Sequence, residues 1–273
     1  MDFSIGDAMR VATVAAHSAG KILREMLETA EVREKAPKDL VTDADIAAQN
    51  EIEKQIMSAF PSHRFIGEES SGNLQLSLET SDTEWRWLVD PLDGTANYAH
   101  RLPNFAVSIA LMQGSRIALG VVFDPMADEI YTAVHGDGAR VNDRPIHASQ
   151  CTQLDQALVA ASFPPQVRKD SIEIQQFIEV LVRSQSVRRL GSAALNLCFV
   201  AHGRLDAYWA NQLKTWDMAA GVLIAREAGA CVSKPNGQAF DPWHGEVLAT
   251  ATPSLNRELQ QCLGTSRNAQ LPI

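Results

Sequence analysis

Apolar residues recur at helical spacing near the start of the chain. Ala8, Val11, Ala12, Ala15, Ala19, Ile22, Leu23 and Met26 fall on one stripe, which predicts one long amphipathic helix over residues 4–29. A second helix is predicted over 43–59, with Ile46, Ile52, Ile56 and Met57 as its apolar positions and a cap signal at Thr42-Asp43. A turn at Pro61-Ser62-His63 leads into Phe65-Ile66-Gly67-Glu68-Glu69-Ser70. Residues 70–84 are polar and carry Gly72-Asn73, the pattern of a flexible loop. Strands are predicted at 86–90, 105–113, 116–123 and 128–134, the last two as a hairpin around Asp124-Pro125-Met126-Ala127. The turn-rich piece from Gly136 to Pro145 is read as the change between an N-terminal part, 1–150, and a C-terminal part, 151–273. Beyond it the pattern alternates: strand 157–162, helix 170–184, strand 187–190, helix 193–202, strand 205–209, helix 216–229, strand 246–250 and a terminal helix over 253–263. Such alternation predicts an α/β layer.

Composition narrows the class. The 273 residues are 45% hydrophobic and 21% charged, the profile of a globular protein with a substantial core. Net charge is −9, and no dense Lys/Arg run supplies the basic footprint that nucleic-acid binding needs. No apolar run is long enough to cross a bilayer, and no signal peptide precedes the first helix, so a cytoplasmic site of action is expected. Cys151, Cys198, Cys231 and Cys262 have neither zinc nor redox spacing and read as reduced, packed thiols. The histidines show no metal-ligand spacing, and no nucleophile elbow is present.

The chemistry concentrates in Trp85–His100. The apolar strand Trp87-Leu88-Val89 runs into Asp90 and Asp93, with Pro91 between them and Gly94-Thr95 after them. Hard carboxylate oxygens on a stiff turn suit Mg²⁺. The Leu92 carbonyl and Asp93 can face the same point, and a carboxylate bridging two ions gives a two-metal arrangement suited to attack on phosphorus. Glu68 joins this set, while Glu69 reads equally as a solvated surface residue. Gly94 and Thr95 open a short helix whose free N–H groups suit a phosphate. Thr95 adds a hydroxyl that caps the helix, orients a water, or both. Asp39, Asp43 and Asp45 include one cap for the second helix; Asp45 is the candidate to point back towards Thr95. Gly191-Ser192-Ala193 let a ligand approach the backbone or simply pack a helix tightly. Asp217 reads as an N-cap residue or a distant metal ligand.

With these motifs in order, the chain resembles the inositol monophosphatase family. The resemblance rests on Trp87-Leu-Val-Asp90-Pro-Leu-Asp93-Gly-Thr95 and Trp216-Asp217-Met-Ala-Ala-Gly221. It is supported by Gly67-Glu68-Glu69-Ser70, Pro103–Ile109, Gly120–Pro125 and Gly191–Ala194, and spans roughly residues 5–260. It implies a layered αβαβα sandwich, shared with fructose-1,6-bisphosphatase, and Mg²⁺-dependent, lithium-sensitive phosphomonoesterase activity, commonly in a homodimer. By motif position, Glu68, Asp90 and the Leu92 carbonyl would hold one ion, and Asp90, Asp93 and Asp217 a second. A third, weaker ion would lie near Glu68. Thr95 and Asp45 would prepare the attacking water, Gly94 and Thr95 would hold phosphate, and Gly191, Ser192 and Ala193 would line the alcohol pocket beside Asp93 and Asp217. The expected substrate is an inositol monophosphate or a similar polyol phosphate. Histidinol phosphate, fructose 1,6-bisphosphate and 3′-phosphoadenosine phosphates are the alternatives on the same core. A regulatory interaction protein on this fold is the remaining reading. A haloacid-dehalogenase-type phosphatase also carries an Asp…Asp-Gly-Thr signature, but with its aspartates two apart rather than three. One departure bears on substrate: where the family usually carries a sugar-contacting glutamate, Asp206-Ala207-Tyr208-Trp209 is followed by Ala210-Asn211. Asn211 is the candidate to replace it.

Overall fold

The computed structural model describes residues 3–70 and 83–268. The polar loop expected at 70–84 falls almost wholly outside the described residues. The helix expected over 4–29 is α1 (Ile5–Met26), ending with the last residue of its apolar stripe. Its buried face is nearly all alanine (Ala8, Ala12, Ala15, Ala16, Ala19) with Leu23, so its axis lies close to the sheet beneath. A short hairpin follows, β1 (Val32–Ala36) and β2 (Asp39–Thr42). α2 (Asp43–Ala59) starts where predicted. Thr42 and Asp45 cap it reciprocally: the Asp45 N–H donates to Thr42 Oγ1 at 3.4 Å, and the Thr42 N–H donates to Asp45 Oδ2 at 2.8 Å.

The first sheet contains β3 (Arg64–Gly67), β4 (Trp85–Asp93), β5 (Ala106–Gln113), β6 (Arg116–Asp124), β7 (Glu129–Val134), β8 (Ala139–Val141) and β9 (Arg144–Pro145), in that spatial order. β3 and β4 are parallel and every later pair is antiparallel. The hairpin at Asp124–Ala127 forms as expected. The turn-rich stretch 136–145 is part of this sheet: its two short strands complete the edge. Their brevity and exposed Arg144-Pro145 end hide them from a periodicity reading.

The second sheet is ordered β11-β10-β12-β14-β13. It comprises β10 (Leu158–Ser162), β11 (Ser186–Arg188), β12 (Ala207–Ala210), β13 (Cys231–Ser233) and β14 (Val247–Thr250). β10 runs parallel to β11 and β12, and β14 antiparallel to β12 and β13. The helices are α3 (Thr95–Ala99), α4 (Ile172–Arg183), α5 (Ala193–Ala201), α6 (Thr215–Glu227) and α7 (Pro253–Asn268).

These elements stack in five layers: α1 and α2, the first sheet, α5 and α6, the second sheet, then α4 and α7. Three apolar clusters fill the four gaps. Trp87, Phe105 and Phe123 pack under α1 and α2. Leu88, Tyr131, Tyr208 and most of α5 and α6 form the central core. Trp209 and Val159 pack beneath α4 and α7. α5 and α6 are buried on nearly every side, as a helix between two sheets must be. Among the described residues no helix is long and apolar enough to cross a membrane.

Candidate metal centre and active site

The spacing of Asp90 and Asp93 conflicts with a regular strand. Side chains alternate, so positions three apart should point to opposite faces. β4 resolves the conflict with an irregularity at Pro91. Asp90 pairs with Ser108 and Asp93 with Ala106, so two residues of β4 face one of β5. Proline, which cannot donate to the ladder, is tolerated at such a bulge. Ser108 and Ala106 share a face, so both aspartates point towards α6. The Ser108 hydroxyl donates to the Trp216 carbonyl at 3.0 Å and ties the start of α6 to this face.

Asp217 lies on the first turn of α6, where the Lys214 N–H donates to its Oδ2 at 2.9 Å. It is thus a helix-start residue and a member of the acidic cluster at once. Glu68 comes from the single 3₁₀ turn that follows β3. Carboxylate oxygens of Glu68, Asp90 and Asp217 all lie within 4.8 Å of one another. Burial pushes the Asp90 and Asp217 carboxyls well above the usual carboxylate range, and the neighbouring acids, Glu68 first among them, push them further. Three acids this close stay ionised only if positive charge enters among them. An all-oxygen donor set of this kind fits a hard divalent cation.

Asp93 stands beside that trio rather than within it. Its Oδ2 accepts from Ser192 Oγ and from the Ala194 N–H, each at 2.6 Å. Burial lifts its pKa to about 6 against the pull of these donors. Ser192 is wholly buried; it also caps α5, accepting from the Leu195 N–H at 3.2 Å. Gly191 precedes it with φ of +90°, and a Cβ there would meet the Asn97 amide at 2.6 Å. That amide donates to the Leu190 and Asn104 carbonyls, so close packing accounts for this glycine. Gly94 has φ of +105°, and a Cβ would crowd the Asn104 carbonyl at 3.1 Å.

Thr95 starts α3. Its hydroxyl lies 3.0 Å from the Leu92 carbonyl and 3.4 Å from Asp45 Oδ1. The Leu92 N–H in turn donates to Asp90 Oδ1 at 3.0 Å. Asp45 therefore combines the two roles that spacing left open, capping α2 through one oxygen and facing Thr95 with the other. Burial pushes its carboxyl up to about 7.

Two contributors escaped the sequence reading. Lys35, on β1, places its ammonium 3.1 Å from Glu68 Oε1 and 2.6 Å from Glu69 Oε1. Burial works against that charge, but the two carboxylates outweigh it and raise its pKa. Gln49 accepts the Glu69 N–H at 2.8 Å and donates to the Ser70 hydroxyl at 2.6 Å, fixing the turn that carries Glu68. Glu69 is thus a partner of Lys35 rather than a solvated side chain. Neither Lys35 nor Gln49 belongs to a recognisable motif, and β1 is polar enough to hide as a strand.

On β12 the side chains alternate. Tyr208 and Ala210 face the central core, and Trp209 faces the outer one. Asn211 turns outward, its amide donating to Gln176 of α4 at 3.2 Å. It does not replace the absent glutamate at position 210.

Layered α/β architecture and an acidic centre assembled from strand ends and helix starts define the class: a five-layer αβαβα sandwich with a carboxylate cluster at its middle that fits a cation. The chain belongs to the inositol monophosphatase family, whose model matches residues 7–270. It is 36% identical to the Nus factor SuhB of Pasteurella multocida, over 93% of this chain and 96% of that one. It is 39% identical to inositol monophosphatase 3 of Solanum lycopersicum, over 90% and 93%. Among solved structures, the inositol monophosphatase from Anabaena superposes with a TM-score of 0.83 at 35% identity, covering 96% of each chain. The extragenic suppressor protein suhB from Bartonella henselae gives 0.85 at 34% identity, covering 94% and 98%.

Proposed function

We propose that this protein is a Mg²⁺-dependent phosphomonoesterase that hydrolyses an inositol monophosphate or a similar polyol phosphate by direct attack of water. The observation that carries this reading is the Glu68–Asp90–Asp217 cluster lying beside the Thr95–Asp45 pair. Glu68, Asp90, the Leu92 carbonyl, Asp93 and Asp217 would hold two ions, with room for a third near Glu68. Bound there, such ions stabilise the attacking and leaving oxygens of an in-line displacement. The protein's own part is positional and acid–base. Asp45, with its pKa near neutrality, accepts a proton relayed through the Thr95 hydroxyl. The Gly94 and Thr95 amides meet phosphate, while Asp93, Gly191, Ala193 and Asp217 border the alcohol, with Ser192 holding Asp93 in place. We place the enzyme in the cytoplasm as a homodimer; sedimentation of the purified protein tests the second point.

Ala210 removes one hydrogen-bonding partner for a polyol hydroxyl, and a site selects sharply through such bonds. The proposal therefore includes a broader substrate range, reaching histidinol phosphate, fructose 1,6-bisphosphate or 3′-phosphoadenosine phosphates. A phosphomonoester panel with Mg²⁺, with and without lithium, tests it. Asp90→Asn should abolish both turnover and Mg²⁺ binding; near-normal kinetics in that variant would overturn the assignment. The relatives named Nus factor SuhB support a second reading, an interaction role on the same fold. If Asp93→Asn ends turnover yet leaves every cellular phenotype intact, that second reading gains.

A further inference from the structure

A second cavity, of about 600 Å³, opens at the far end of α6. Arg226 lies nine residues beyond Asp217, about 13 Å along the helix axis, so this cavity is separate from the acidic centre. Its walls come from the start of β6, the end of α6 and the segment after β13. Three cations reach it, Arg116, Arg226 and Lys234, and Phe240 and Trp243 supply ring surfaces.

The charge balance is one-sided. Lys234 is only 9% exposed, yet among the described residues no carboxylate pairs with its ammonium. The Arg226 guanidinium lies 5.1 Å from the Phe240 ring centre, also without an acidic partner among the described residues. Partial burial lowers its pKa, while the rest of the side chain stays exposed to solvent. Two acids do border the cavity, and both are engaged elsewhere. Glu227 accepts from the Gly136 and Gly138 N–H groups at 2.8 and 3.0 Å, with His135 Nδ1 3.5 Å away. Asp241 accepts from the Trp243 N–H at 3.0 Å and lies 2.7 Å from His244 Nδ1. A buried lysine is rare unless paired. Its ammonium is therefore free to meet an anion that enters the cavity.

We propose that this cavity binds an anionic small molecule that joins a phosphate or carboxylate to a ring. The anion meets Lys234 and Arg226, and the ring lies against Phe240 and Trp243. The site owes nothing to the divalent centre.

Calorimetric titration of the intact protein in EDTA, with AMP and with inorganic phosphate as probes, tests this. Without divalent ions the acidic centre repels phosphate, so binding reports on the cavity. Saturable AMP binding, tighter than that of phosphate, is expected. Lys234→Met should weaken it about tenfold or more, the size of a lost charge-assisted hydrogen bond. Arg226→Gln, at the cavity rim, should weaken it too and guards against a folding defect in the first variant. Asp90→Asn should bind AMP as the parent does, and Lys234→Met should keep its Mg²⁺-dependent phosphatase activity. No saturation, AMP binding no tighter than phosphate, or parental affinity in both cavity variants overturns the proposal.

Discussion

Ser192 works in two directions at once. Its hydroxyl donates to Asp93, and its oxygen accepts the Leu195 N–H that opens α5. Removing it as Ser192→Ala should cost about 1–2 kcal/mol of stability, the size of a lost helix cap. It should also let the Asp93 pKa rise above about 6 and raise the Mg²⁺ concentration needed for half-maximal activity. A thermal melt together with a Mg²⁺ titration of turnover checks both, and a variant matching the parent in each would refute the role. At this scale the sequence was informative where residues sit close in the chain. Asp90, Asp93, Gly94 and Thr95 were legible because one strand and one turn place them. The Asp45–Thr95 contact was legible as a direction only. For Asp217 the residues left cap and ligand open, and family likeness chose between them, since no local spacing reveals which helix will dock opposite β4. Lys35 was invisible, because a lone lysine on a short polar strand looks like any surface residue.

α6 can sit between two sheets because its neighbours are small. A Cβ at Gly120 of β6 would lie 2.7 Å from the Ala220 carbonyl, and one at Gly221 would lie 2.7 Å from the Leu197 side chain. Gly120→Val should push α6 off the sheet, cost about 1–3 kcal/mol by overpacking, and displace Asp217 from Asp90. Weaker Mg²⁺ binding alongside a lowered melting temperature is the expected result; destabilisation with unchanged metal affinity would break the link between packing and site. Long amphipathic or strongly apolar elements such as α1, α2, β5 and β6 were readable because their period is unambiguous. β1 and β2 were missed: β1 is exposed throughout, β2 is half-buried except for buried Thr42, and neither alternates. β13 was missed because it has three residues, and β8 and β9 read as turns for the same reason.

Across the whole molecule, the buried acids link folding to pH. Asp45 and Asp93 have folded pKa values of about 7 and about 6, above the ordinary 3.8, and burial with neighbouring acids raises Asp90 and Asp217 as well. The folded state then binds more protons than the unfolded one, so stability falls as pH rises from about 4 through about 7. In EDTA the melting temperature should drop across that window, and added Mg²⁺ should restore most at the alkaline end, because it binds the ionised acids of the native state alone. A flat profile in EDTA would show that these carboxylates do not titrate as their surroundings imply.

The central helix layer has one more consequence. Asp90 belongs to the first sheet and Asp217 to a helix that follows the second sheet's middle strand, so neither stretch of chain owns the acidic cluster. Nicking the backbone between Pro145 and Leu158 should give two pieces, each stranded with a wide oily face of alanine, valine and leucine. Apart, they should aggregate; co-expressed, they should reunite and recover turnover together, like the jaws of a clasp that grips only when shut.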